Sequence, residues 1–212
     1  MAGCNIALLL SISLRMPARA RATSDFFDDL TNALLVLRVQ AQRQFCPLSP
    51  EVLNRRPGPG PGPWSVGECL EHLNIVGGYF LPTIGARLRR AQERGSQPAP
   101  TVKHGLVGAR LVADLRVPAA QKPRATPQRY APTGTRLTRT VTEVYSRQLD
   151  ELMSIVLRAR QVNANTLRIP NPLFSLLRLR LVDQLEYLVL HLQRHAAQAE
   201  RVLAGLPVVV DK

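Results

Sequence analysis

Apolar residues recur every three or four positions through four long stretches of this chain, the period of a helix that buries one face. In the first stretch Phe27, Leu30, Leu34, Leu37, Ala41 and Phe45 make the stripe. Ser24 reads as its N-cap, and Asp25, Asp28 and Asp29 put negative charge where the helix dipole favours it, while Pro47 and Pro50 end it. Ser65-Val66-Gly67-Glu68 reads as a capping box opening the second helix, the Ser hydroxyl and the Glu carboxylate each satisfying a backbone N–H without a helical partner. Val66, Cys69, Leu70, Leu73, Val76, Phe80, Ile84 and Leu88 form its stripe, with Pro82 as a kink. The third helix runs from about Thr138 to Arg160 on Val141, Val144, Leu152, Ile155 and Ala159. After a turn at Ile169-Pro170-Asn171-Pro172, the fourth runs from about Leu173 to Ala204 on Leu177, Leu181, Leu185, Leu188 and Leu192, stopped by Gly205 and Pro207.

The connections are of a different composition. Residues 55–64, RRPGPGPGPW, form a linker that no helix or central strand accommodates. Residues 96–136 lose the helical period and carry six prolines, which predicts a loop outside the core that the fold does not need. Four amphipathic segments and no convincing strand therefore predict an all-α, four-helix bundle with a long Pro/Arg-rich loop between its second and third long helices. The bundle is expected over residues 24–205, between a disordered or mis-assigned extension at 1–23 and a tail at 206–212. The apolar run from Ile6 to Leu14 lacks a basic flank and, at nine residues, cannot cross a bilayer, so Met16 is an alternative start and secretion is disfavoured.

A length of 212 residues with 45% hydrophobic and 20% charged content suits one soluble domain. Cys4, Cys46 and Cys69 are odd in number and form no C-x-x-C, which argues against a disulfide framework or zinc finger and for a reducing, cytoplasmic compartment. The net charge of +13 is concentrated between Arg87 and Arg139, where twelve Lys and Arg face only Glu93 and Asp114. Such a stretch can neutralise phosphates, yet Tyr130 is its one aromatic residue, so nucleic acid is a disfavoured partner and a solvated Arg-rich loop the plainer reading. His104, isolated in this loop, is expected to be exposed.

The other histidines carry the chemistry. His191 and His195 form an H-x-x-x-H pair on the fourth helix, where residues at i and i+4 project from one face about 6 Å apart. Two imidazoles so placed converge on an ion if a third arrives from a facing helix, and His72 on the second helix can supply it. A partly exposed helix face and a hydrogen-bonded structural histidine would explain the same residues without a metal.

The strings PWSVGECLEHL at 63–73, YAPTG at 130–134, NPLF at 171–174 and HLQRHAAQAERVL at 191–203 together resemble the DinB-like superfamily of metal-binding four-helix bundles, over roughly residues 24–205. The basic Pro-rich loop and Ser175-Leu176-Leu177, where relatives often have a glycine, depart from that pattern. The resemblance implies that His72, His191 and His195 bind one divalent metal. Three neutral imidazoles suit Zn, Ni or Fe(II) and leave a position for a further ligand. Glu68 is a candidate support for His72, and Tyr187 and Gln198 are candidates to contact a bound species; no catalytic group is identified. Characterised relatives include transferases and isomerases that use bacillithiol, mycothiol or glutathione, which implies transfer of a small-molecule thiol to a small electrophile, with a homodimer plausible through the bundle face. The alternatives are a metal that only ties helices together and a nucleic-acid-associated stress protein using the 87–139 stretch.

Overall fold

The computed structural model describes residues 21–58, 63–116, 126–134, 136–171 and 176–206. In chain order these form β1 (Arg21–Ala22), α1 (Thr23–Gln40), α2 (Pro50–Asn54), α3 (Val66–Glu93), β2 (Thr101–Val102), α4 (Leu106–Arg116), α5 (Thr140–Ala159), β3 (Arg168–Pro170), β4 (Arg178–Arg180) and α6 (Leu181–Ala204). The four long helices α1, α3, α5 and α6 make an all-α bundle in which α3 packs on α5 and α6, and α1 closes the other side against the same two. Residues 1–20, 59–62 of the Pro/Gly linker, 117–125 and 135 of the basic loop, 172–175 and the tail from 207 lie outside the described residues, and with them most of NPLF, Ser175 and the expected extension.

The helical stripes lie inside. All six apolar positions read for α1 are buried, the last two, Ala41 and Phe45, in a π-helical turn that extends it. Both arms of the Ser65–Glu68 capping box are made, Glu68 N–H donating to Ser65 Oγ at 3.1 Å and Ser65 N–H to Glu68 Oε2 at 2.8 Å. At the far end of α3, Gly95 takes φ +67, a left-handed conformation glycine adopts without a Cβ penalty, and Ser96 N–H folds back to the Ala91 carbonyl at 3.0 Å. On α5 four of the five expected positions, Val141, Leu152, Ile155 and Ala159, are buried, and one differs. Val144 is only half-buried, whereas Tyr145 and Leu149 point into the core. Among the described residues no helix is long and apolar enough to cross a membrane.

Three expectations need correction. The first helix begins at Thr23 with Ala22 as its N-cap, because β1 pairs antiparallel with β2 and Thr23 bonds the Pro100 and Ala99 carbonyls at 3.0 and 2.6 Å; Ser24 Oγ instead meets Asp25. The fourth long helix begins at Leu181 rather than Leu173, since Arg178–Arg180 forms a hairpin with Arg168–Pro170 that pairs buried Ile169 with buried Leu179. The first part of the 96–136 stretch, up to Arg116, is not outside the core: Val102 and Val112 are buried, and α4 lies along α6. Loss of helical period marked the absence of a long helix, not the absence of packing.

Candidate metal centre

The capping box fixes where α3 starts and so which way His72, two turns in, faces. His191 and His195 come from the second half of α6, whose buried stripe packs against α3. The helices bring all three imidazoles together, with one donor atom of each within 4.8 Å of the others. Ring centroids are 5.1 Å apart for His72 and His191, 4.5 Å for His72 and His195, and 4.6 Å for His191 and His195. His72 is buried, while His191 and His195 lie at intermediate depth.

The outer nitrogens are held by the protein. His72 Nδ1 faces the Tyr130 carbonyl at 2.7 Å and His195 Nδ1 faces Gln198 Oε1 at 3.0 Å. Both acceptors call for N–H on Nδ1, which leaves the Nε2 lone pair of each ring directed inward, as metal ligation requires. His72 Nε2 and His191 Nε2 stand 3.2 Å apart. Two nitrogens about 2.0–2.1 Å from one tetrahedral ion are separated by about 3.3 Å, so this spacing fits a shared ion. Trp64 lies over His72 and His195 with centroids 5.1 and 5.9 Å away, and the Tyr187 ring stacks on His191 at 5.9 Å and 9°.

Burial also keeps these rings neutral. It lowers His72, partly offset by the Tyr130 carbonyl; it lowers His191 strongly, with His195 and His72 adding to the effect. His195 falls to about 3 through burial and then His72, opposed by the Gln198 bond. This has a consequence for the metal-free protein. A histidine in the unfolded chain titrates near 6.5, so between that pH and the lower folded value the unfolded state binds more protons, and stability falls as pH drops through this window. The pH 7.5 to 5 interval should cost about 2 kcal/mol from His195 alone, at about 1.4 kcal/mol per pH unit below 6.5. Urea midpoints of metal-free protein at the two pH values check this, and equal midpoints would contradict it.

Glu68 does not support His72. Its carboxylate takes the capping N–H and the Arg56 guanidinium, which bonds both of its oxygens. The group actually behind His72, a main-chain carbonyl, and the Trp64 cover were both missed, although Trp64 and Tyr130 stand in the strings PWSVGECLEHL and YAPTG. Gln198 and Tyr187 are at the site, one through His195 and the other against His191. His104 is not exposed: its Nδ1 lies 2.8 Å from Asp183 Oδ1 and its Nε2 3.2 Å from Glu186 Oε2, well away from the other three histidines in role. Cys69 is buried and its thiol is pushed up to about 12 by burial and then by Glu68, so it offers no thiolate at neutral pH; Cys46 is also free.

A helical bundle with three inward-facing imidazoles on two neighbouring helices is the architecture of a bundle that can hold a metal between its helices. The family model of the DinB superfamily matches residues 33–199, and the chain belongs to that superfamily, whose members often bind divalent metals. No curated protein and no solved structure gives a significant match to the chain.

Proposed function

We propose that this protein binds one divalent transition metal, Zn, Ni or Fe(II), through His72, His191 and His195, and acts as a metal-dependent S-transferase joining a low-molecular-weight thiol to a small electrophile. The observation that carries the metal reading is the convergence of three neutral imidazoles, two of whose outer nitrogens are tied to fixed acceptors. Three protein ligands are the number found in catalytic rather than closed structural zinc sites. Bound there, a divalent ion would favour ionisation of a coordinating thiol near neutral pH.

The chain's own residues set the stage for that chemistry. The Tyr130 carbonyl and Gln198 hold two rings in the required tautomer, while Trp64 and Tyr187 cover the rings and limit the approach of water. Asp and Glu are not among the three clustered donors, so the set carries no charge of its own to oppose an incoming thiolate. Bacillithiol, mycothiol and glutathione are the thiols to try, and cytoplasmic thiol pools would supply them. The nucleic-acid reading has less to support it: in the basic stretch Arg116 is paired with Glu186 and Arg129 lies over Tyr79, although both side chains remain exposed.

Protein purified without an affinity tag should contain about one metal per chain by elemental analysis. After exchange to cobalt(II), each thiol is added in turn; a thiolate-to-metal absorption band together with faster transfer to a model electrophile is the expected result. A cobalt spectrum indifferent to every thiol, with no acceleration, would leave the metal as a tie between α3 and α6.

A further inference from the structure

Glu71 stands immediately before His72 on α3, at intermediate depth where the histidine is buried. Its carboxylate accepts three hydrogen bonds from the segment that follows Tyr130: Thr133 N–H donates to Oε2 at 3.0 Å, the Thr133 hydroxyl to Oε1 at 2.6 Å and Gly134 N–H to Oε2 at 3.4 Å. The same segment supplies the carbonyl that faces His72 Nδ1 at 2.7 Å. Two consecutive residues of one helix therefore hold one short stretch of backbone, His72 at position 130 and Glu71 at 133 and 134. The amides of Tyr130 and Ala131 bond locally, to the Pro127 and Gln128 carbonyls at 2.8 and 3.1 Å, and Pro132 has no N–H to offer. The Tyr130 ring meets Tyr79 of α3 at 5.6 Å, an apolar contact without the directionality of a hydrogen bond.

Direction matters because His72 has two neutral forms. With its proton on Nδ1 it donates to the Tyr130 carbonyl and leaves Nε2 free for an ion. With the proton on Nε2 it donates instead to His191 Nε2, 3.2 Å away, and turns N–H toward the place where an ion would sit. The carbonyl decides between the two forms, and it does so only while it stays within hydrogen-bond reach of Nδ1.

We propose that Glu71 is a positioning residue of the metal centre: by gripping Thr133 and Gly134 it fixes the Tyr130 carbonyl against His72 and so keeps that ring in the tautomer that can ligate. The inference rests on the reading of His72 as a ligand for its effect on metal affinity, but not for its effect on the tautomer. A carboxylate suits the task, since an anionic acceptor strengthens each bond and has two oxygens to divide among three donors. Glutamine keeps one oxygen for the two amides and can meet the Thr133 hydroxyl with its NH2, whereas alanine releases the segment.

The test uses the full chain, nitrogen-15 labelled and metal-free at pH 7.5, with two-bond proton–nitrogen correlation NMR to read the tautomer of each histidine. Wild-type His72 and His195 should both carry their proton on Nδ1. E71A should move His72 toward the Nε2–H form and leave His195, held by Gln198, unchanged. Zinc affinity, measured by competition with a chelator, should fall about ten-fold in E71A, the low end for disturbing a group behind a ligand, because the carbonyl is displaced rather than removed. E71Q should lie between E71A and wild type in both readouts. An Nδ1–H tautomer at His72 that persists in E71A would overturn the proposal. So would His72 and His195 changing together, since Glu71 would then serve the fold at large. A wild-type chain that binds no zinc while His72 still responds to E71A would uphold the control of the tautomer and remove the metal reading; tight zinc binding with an unresponsive His72 would do the reverse.

Discussion

Replacing any one of His72, His191 and His195 by Ala is expected to reduce bound metal from about one ion per chain to a small fraction, with affinity falling by more than about a hundred-fold. Loss of a group behind a ligand already costs 10–100-fold in such sites, and these substitutions remove the ligand itself. The helices should survive, since α6 keeps its buried Leu185, Leu188, Ala196 and Ala199 and α3 keeps its cap. In the metal-free state H191A gives up only the 3.2 Å hydrogen bond between the Nε2 atoms of His72 and His191. Elemental analysis beside far-ultraviolet circular dichroism separates the two effects. Full metal occupancy in the triple variant would remove these histidines from consideration as ligands.

A second large effect belongs to Asp183, at the other end of α6. It is 1% exposed, accepts from His104 and from Gly105 N–H at 3.1 and 3.2 Å, and lies so close to Gly108 that a Cβ there would stand 2.1 Å from its carboxyl carbon. Asp183 thus forms the seat on which the start of α4 rests, while Glu186 takes Arg116 from the end of α4 and lies 3.2 Å from the other nitrogen of His104. D183A leaves the Gly105 amide and His104 without their acceptor and opens a gap under α4, a loss of about 2–4 kcal/mol. Urea unfolding measures it, and limited proteolysis should show new cleavage within residues 97–129. Metal content should be retained, because the imidazoles stand two turns further along. A loss below about 0.5 kcal/mol would mean that α4 is held by its apolar contacts alone.

The long helices and the three converging histidines were legible because each rests on a period the sequence displays directly. Leu185, Leu188 and His191 fall on one face of α6 by arithmetic, and the capping box at Ser65 dates the start of α3 to the residue. What was not legible depends on partners distant in the chain. Arg178-Leu179-Arg180 alternates with period two, yet three residues are too few to outweigh Leu177 and Leu181, whose spacing also suits a helix. α4 has a modest apolar face, of which Val112 is buried while Leu106 and Val107 remain exposed, so its packing on a carboxylate rather than on a hydrophobic surface left no pattern to read. His104 looked solvated among Val and Gly because the two carboxylates it faces, Asp183 and Glu186, lie 79 and 82 positions further on. Tyr145 was overlooked in favour of its aliphatic neighbour Val144, which is only half-buried.

The acceptor behind His72 is a main-chain oxygen, and this bears on how the site tolerates mutation. A carboxylate or amide side chain in that place would be lost in a single base change. The carbonyl at position 130 remains whatever side chain is attached to it, so the orientation of His72 depends on the path of the backbone through residues 127–134, not on the tyrosine. Substitutions at Tyr130 should therefore leave the ring's tautomer intact, whereas an insertion or deletion of one residue in this segment would misplace the acceptor. At the acceptor itself the vulnerability of His72 is one of spacing, invisible to substitutions of Tyr130 alone.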